Sequence, residues 1–238
     1  MTVGVVGDSV MISALPGLQA EADRRGWLFV NGAHRACPVG YEPLFLLDGT
    51  PAPGQCDGIK SLHFQLMVAR PDVIVWLDIN SRWARKDSAG TLLQPGTQAW
   101  KDELYPEWTM VLDRFLAAGA RVVVVMPPLR SQQAAGCKGV TSAARCREVQ
   151  SQDAVIREAT PEWFASVADR QGIHMIEVDS LLCPNGYPCP TRISGITVRE
   201  TGYDQTHFTA AGAAWFAPHL FDRVLAALNV EPPPGQTG

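Results

Sequence analysis

The sequence contains no run of about 20 apolar residues, so no segment is expected to cross a membrane as a helix. It has no excess of positive charge. Twenty Lys and Arg stand against 24 Asp and Glu, and a protein that grips nucleic acid needs a basic face. Neither CxxC nor HExxH occurs, and His34, His63, His174 and His219 share no ligand spacing. No metal and no cofactor are therefore expected. The common nucleotide loops GxGxxG and GxxxxGK[ST] are missing as well. An exported protein should open with a basic, then apolar, then small-residue leader. This chain starts Met1-Thr2 and is apolar by Val3. We therefore expect a domain cut from a longer exported or membrane-anchored chain.

What is present is a chain of 238 residues, 46% hydrophobic. That suits one sizeable domain and excludes disorder over most of the length. Such a chain buries roughly 70–75% of its unfolded surface and needs no staples. It nevertheless carries six cysteines, Cys37, Cys56, Cys137, Cys146, Cys183 and Cys189. All lie in Pro/Gly-rich or polar stretches, where an exported protein closes loops with disulfides.

Short apolar runs alternate with longer amphipathic stretches, the pattern of an α/β fold with a parallel sheet. The runs are Val3–Val6, Trp27–Val30, Val73–Leu77, Arg121–Met126 and Ile173–Val178. They are continuous, as strands buried on both faces should be. Helices are predicted over Ala14–Arg25, Gly58–Ala69, about Thr97 to Ala118, Arg145–Arg170 and Thr209–Leu228. Pro161 should break or kink the fourth, and Thr209 is a candidate N-cap for the last. One catalytic domain is expected over residues 1–230, with a disordered tail at 231–238. The segments 32–57, 127–144 and 179–206 are too long for plain connections. They follow the second, fourth and fifth strands, so they should gather at the carboxyl edge of the sheet, where open α/β folds bind ligands.

Chemistry concentrates at two places. Gly7-Asp8-Ser9 follows the first strand, where a serine at the mouth of a helix is placed to be a nucleophile and its N–H to hold an oxyanion. Alternatively, Ser9 simply caps the helix. Asp204-Gln205-Thr206-His207 precedes the last helix. A serine hydroxyl needs a base, and the base needs a carboxylate to fix its tautomer. An Asp three residues before a His reaches back to the imidazole.

Together these blocks resemble the SGNH, or GDSL-type, hydrolase superfamily, and the resemblance covers nearly the whole chain. It implies a three-layer α/β/α fold with a five-stranded parallel sheet of flavodoxin-like type. It implies Ser9 as nucleophile, His207 as base and then acid, and Asp204 as its orienter. The oxyanion hole would comprise the Ser9 N–H, the backbone of Gly32 after the second strand and the side chain of Asn80 after the third. In the family motif Gly-x-Asn-Asp, Asp78 here replaces the glycine and Ser81 the aspartate. Val10 replaces the usual leucine of the first motif. Trp76, Arg82 and Trp83 flank Asn80, with Trp76 expected to pack in the strand. Arg192 and Arg199 are expected to be solvated loop charges.

Sequence alone does not choose among the possible cysteine connectivities. Proximity suggests Cys37–Cys56, Cys137–Cys146 and Cys183–Cys189, one staple for each long segment. Ala36-Cys37-Pro38 and Cys183-Pro184 narrow the resemblance to the extracytoplasmic SGNH domain fused to bacterial membrane O-acyltransferases. That implies an O-acyltransferase or carbohydrate O-acyl esterase acting on envelope glycan hydroxyls through an acyl-enzyme. Its partners would be an acyl donor, a glycan acceptor and a fused membrane acyltransferase domain. It would lie on the periplasmic or cell-surface side, monomeric as an isolated domain. The altered third motif leaves open a non-catalytic glycan-binding module, and a general carboxylesterase shares the same triad. Thiol titration under denaturing, non-reducing conditions should find no free thiol; six would overturn the disulfide reading.

Overall fold

The computed structural model describes residues 1–52, 56, 58–129, 143–186, 189–200 and 206–229, with the side chains of 143–153 outside that description. In chain order the first half forms β1 (Thr2–Gly7), α1 (Ser9–Arg24), β2 (Leu28–Asn31), α2 (Ile59–Val68) and β3 (Val73–Leu77). A 3₁₀ turn (Asn80–Arg82), the ribbon β4 (Arg85–Lys86) and β5 (Leu92–Leu93), and α3 (Gln98–Ala117) follow. Then come β6 (Arg121–Val125), α4 (Ala143–Val167), β7 (Ile173–Ile176) and α5 (Asp179–Leu182). A second ribbon, β8 (Arg192–Ile193) and β9 (Ile196–Thr197), precedes α6 (Ala210–Ala227).

The five predicted apolar runs form one sheet in the order β2-β1-β3-β6-β7, and every pairing is parallel. Successive side chains leave a strand on opposite faces, so each valine run feeds two cores at once. Val3, Val5, Val73, Val75, Leu77, Val123 and Val125 pack with the apolar stripes of α1 and α6. Val6, Ile74, Trp76, Val122 and Val124 pack with those of α2, α3 and α4. The expected three-layer α/β/α architecture is therefore present. Trp76 meets Trp108, Phe115 and Trp163 at ring-centroid distances of 6.3, 6.4 and 5.5 Å, which makes it a core residue.

Two helices depart from the sequence pattern by more than small shifts at their ends. Helix α1 starts at Ser9, five residues before the expected Ala14, because Asp8 caps it and the apolar stripe begins at Val10 and Met11. Helix α4 continues through Pro161 without a break. An interior proline costs about 3 kcal/mol or more. Here the buried stripe Ile156, Ala159, Trp163 and Val167 holds the helix on the sheet across that position. The ribbons, the 3₁₀ turn and α5 carry too few residues to leave a periodic signal.

Disulfides join Cys37 to Cys56 and Cys183 to Cys189, with Cα separations of 5.5 and 4.5 Å. Both pairings match the proximity argument. Cys137 lies outside the described residues, and so does its expected bond to Cys146. Among the described residues no helix is long and apolar enough to cross a membrane.

Helices α1 and α6 approach closely at Gly17, where a Cβ would stand 2.1 Å from the Ala213 carbonyl oxygen. Gly17→Ala must therefore push the helices apart. It should cost about 1–3 kcal/mol, read as a lower urea midpoint; an unchanged midpoint would show that the contact is dispensable.

Candidate active site

The strand order reverses between β1 and β3, which places a crevice at their carboxyl ends. Gly7 ends β1 there with φ +150, and a Cβ on it would stand 1.9 Å from the Leu77 carbonyl oxygen. Only glycine lets the two strand ends close to this distance. Asp8 follows as N-cap of α1 and accepts from the Val10 N–H at 2.8 Å. Ser9 is the first helical residue, partly exposed while Asp8 is fully buried. In that position its N–H has no acceptor within the helix, and the positive end of the helix dipole lies beside it.

The other oxygen of Asp8 crosses to the neighbouring strand end. It accepts from the N–H groups of Ile79 at 2.8 Å and Asn80 at 2.7 Å. Asp78 lies alongside. One of its oxygens accepts from the N–H of Asn80 at 2.9 Å and of Ser81 at 3.1 Å. The other accepts from the N–H of Val39 at 2.8 Å and the hydroxyl of Ser81 at 2.6 Å. Two tryptophans of α3 brace the same turn. The indole N–H of Trp100 donates to the Trp83 carbonyl at 2.9 Å, and that of Trp108 to the Ser81 hydroxyl at 3.2 Å. Asn80 is thus held by its backbone in a buried turn next to the start of α1.

Ionising two adjacent buried carboxylates is costly. Burial, and then the negative charge of Asp78, pushes the pKa of Asp8 up to about 6, against the pull of its amide donors and of Arg82. Asp78 is raised as well, chiefly by burial.

His207 stands just before α6 and is partly buried. The segment around it is stitched on both sides. The next residue, Phe208, donates its N–H to the Ser13 hydroxyl at 2.9 Å, and Ser13 lies one turn along α1 from Ser9. Ser13 in turn donates to the Val10 carbonyl at 2.7 Å. On the other side the Glu200 N–H donates to the His207 carbonyl at 3.0 Å. Thr209 caps α6 as expected, its hydroxyl accepting from the Gly212 N–H at 2.9 Å. Helix α1 therefore carries Ser9 and also anchors the segment bearing His207. Asp204 lies outside the described residues.

Gly32 has a different task from the one expected. Its N–H donates to the Val5 carbonyl at 2.8 Å and extends the β1–β2 ladder. One N–H makes one good hydrogen bond, so this amide is not an oxyanion donor in the structure. Arg199 is not a solvated charge either. It is 1% exposed, next to the point where its strand-like segment bridges to Phe208. Arg192 does lie on the surface, donating to the Gly195 carbonyl within its ribbon. Arg82 is buried with its guanidinium 5.3 Å from the Trp83 ring centroid. Sequence reasoning also missed Arg157. It donates to the Pro127 carbonyl and pairs with Asp179 at 2.6 Å, fixing the segment after β6. With Ile79, Pro127, Pro128, Ile156 and Thr206 it lines a small cavity beside the crevice. Among the described residues no group of His, Cys, Asp and Glu side chains is placed to hold a metal ion.

The family model described as the SGNH domain fused to AT3 domains matches residues 2–222. The chain belongs to this SGNH family. No curated protein matches it by sequence. Its fold is similar to that of the periplasmic domain of a lipopolysaccharide acetyltransferase from Salmonella ser. Paratyphi A, at 14% identity and a TM-score of 0.56, covering 94% of this chain and 83% of that one. A psychrotrophic esterase from Pseudoalteromonas sp., inhibited by monoethylphosphonate, matches at 11% identity and a TM-score of 0.54, covering 96% and 98%. A putative acylhydrolase from Bacteroides fragilis matches at 10% identity and a TM-score of 0.53, covering 95% and 88%.

The acid pair of this SGNH domain has a measurable consequence. Between pH 4 and 6 the native state keeps a proton on Asp8 that the unfolded chain has released. The contribution of Asp8 to stability is therefore greatest in acid and is lost as pH rises through about 6. Relative to Asp8→Asn, the wild type should lose on the order of 2 kcal/mol between pH 4 and 7. Parallel pH curves in chemical denaturation would refute this.

Proposed function

We propose that this SGNH domain is a serine-dependent O-acyltransferase or carbohydrate O-acyl esterase acting on envelope glycan hydroxyls. Ser9 is the nucleophile, His207 the general base and then acid, and Asp204 the carboxylate that orients His207. The observation that carries the reading is the convergence on one helix. Ser9 opens α1 at the sheet's switch point, the Asn80 turn is bonded to its cap residue Asp8, and the His207 segment is bonded to Ser13 of the same helix.

In this mechanism His207 takes the Ser9 hydroxyl proton as Oγ attacks an acyl carbonyl. The tetrahedral oxyanion is held by the Ser9 N–H and the Asn80 side-chain amide. Collapse expels the donor's alkoxide, which takes the proton from His207, and leaves an ester on Ser9. His207 then deprotonates an acceptor hydroxyl, which attacks that ester, and returns the proton to the departing Ser9 Oγ. A sugar hydroxyl as acceptor gives transfer, and water gives hydrolysis.

The two disulfides support an oxidising, extracytoplasmic location. The family's association with AT3 domains supports a fused membrane acyltransferase as the source of the acyl group. Ser9→Ala should retain the fold by circular dichroism, lose labelling by a fluorophosphonate and lose turnover of 4-nitrophenyl acetate by at least about 10³-fold. Labelling of the wild type separates the enzyme from a glycan-binding module. An acylated glycan in the product mixture marks transfer rather than hydrolysis.

A further inference from the structure

We propose that Asp78, in partnership with Asp8, is the positioning residue for Asn80, so that the acid of the third motif has been transposed to the start of that motif rather than lost. The inference rests on the reading of Asn80 as an oxyanion donor. It adds a residue whose role the family motif does not supply, since the motif carries glycine at this place.

The geometry is that of a built cradle. The Asn80 N–H lies between two carboxylate oxygens, 2.7 Å from Asp8 and 2.9 Å from Asp78. Asp78 also gathers the Ser81 N–H, the Ser81 hydroxyl and the Val39 N–H. Every one of these donors belongs to the turn carrying Asn80 or to the segment that follows β2. Through Asp8 the same cradle reaches the first turn of α1 at Val10. Three pieces of chain, the start of α1, the turn after β3 and the segment after β2, are thereby held within hydrogen-bond distance of the two acids.

The surroundings show that Asp78 is not there for solubility. It is 3% exposed. Beyond it lies a cavity of about 10 Å3 lined by Trp76, Trp108, Val124, Val125, Thr160 and Trp163, at or below the volume that holds one water. None of those side chains titrates, and the positive charge of Arg82 acts on the neighbouring Asp8. A carboxylate in an indole-walled site is expensive to keep. What offsets the cost is the set of charge-assisted hydrogen bonds it makes, and these bonds order the Asn80 turn. Ser81 completes the exchange. It occupies the place of the motif's aspartate and donates its hydroxyl to Asp78, while Trp108 holds it from behind.

A positioning role and a merely structural one differ in a double-mutant cycle on 4-nitrophenyl acetate hydrolysis by the 238-residue chain. Asn80→Ala alone should lower kcat by about 10²–10³-fold. Asp78→Asn, which keeps the shape but offers one acceptor oxygen in place of two, should lower kcat by about 10–100-fold at unchanged KM. In the Asn80→Ala background the same change should cost less than about 3-fold, because the group it positions is gone. Asp78→Gly, which installs the residue of the family motif, serves as the second variant if Asp78→Asn does not fold. Multiplicative losses, or unchanged kcat in a folded Asp78 variant, overturn the proposal while Ser9→Ala remains inactive. Retained turnover in Ser9→Ala overturns the catalytic reading itself, and this proposal with it.

Discussion

The site depends on two buried carboxylates that have to be surrounded by donors. A carboxylate that leaves water must regain its hydrogen bonds from the protein, and Asp8 and Asp78 take theirs almost entirely from backbone N–H groups. Those amides belong to the start of α1, the turn after β3 and the segment after β2. Satisfying the acids is therefore the same event as assembling the crevice. The arrangement costs charge, since each acid opposes ionisation of the other. In return, the turns bearing Ser9 and Asn80 have few ways to move independently.

The rest of the fold serves this junction by proximity and by stiffness. Parallel order β2-β1-β3-β6-β7 brings the ends of β1 and β3 side by side. Gly7 lets them close to a distance no side chain would permit. Trp100 and Trp108 belong to the core by area, yet each spends its one polar atom on the segment from Ser81 to Trp83. On the opposite face α1 and α6 interlock at Gly17, which ties the helix that opens with Ser9 to the helix that follows His207. Core packing and site geometry thus share the same residues, and disulfides close two of the long segments around them.

Much of this was legible in the chain itself. Strands buried on both faces read as continuous valine runs, so all five were located to within a few residues. Gly7-Asp8-Ser9 and the Asp-x-x-His block are local patterns, and short cysteine separations pointed to both described disulfides. The misses share a cause. Gly32 looked like a free donor because sequence does not show that Val5 claims its amide. Arg199 looked solvated because its burial comes from segments distant in sequence. Asp78 looked like a defect in a motif because its partners, Val39 and Asp8, stand 39 and 70 positions away in the numbering. Pro161 looked like a break because local propensity is visible and tertiary packing is not.

The sequence by itself determined the fold class, the five strands of the main sheet, the five long helices and the short motifs that bear Ser9 and His207, because those follow from periodicity and from local pattern. Only the tertiary structure decided which amides are spent on the sheet and which acids are buried together. It also decided that the His207 segment is fastened to the helix of Ser9. Each of those facts is a competition for hydrogen bonds or for water, and it is settled only when distant segments are brought within about 3 Å of one another.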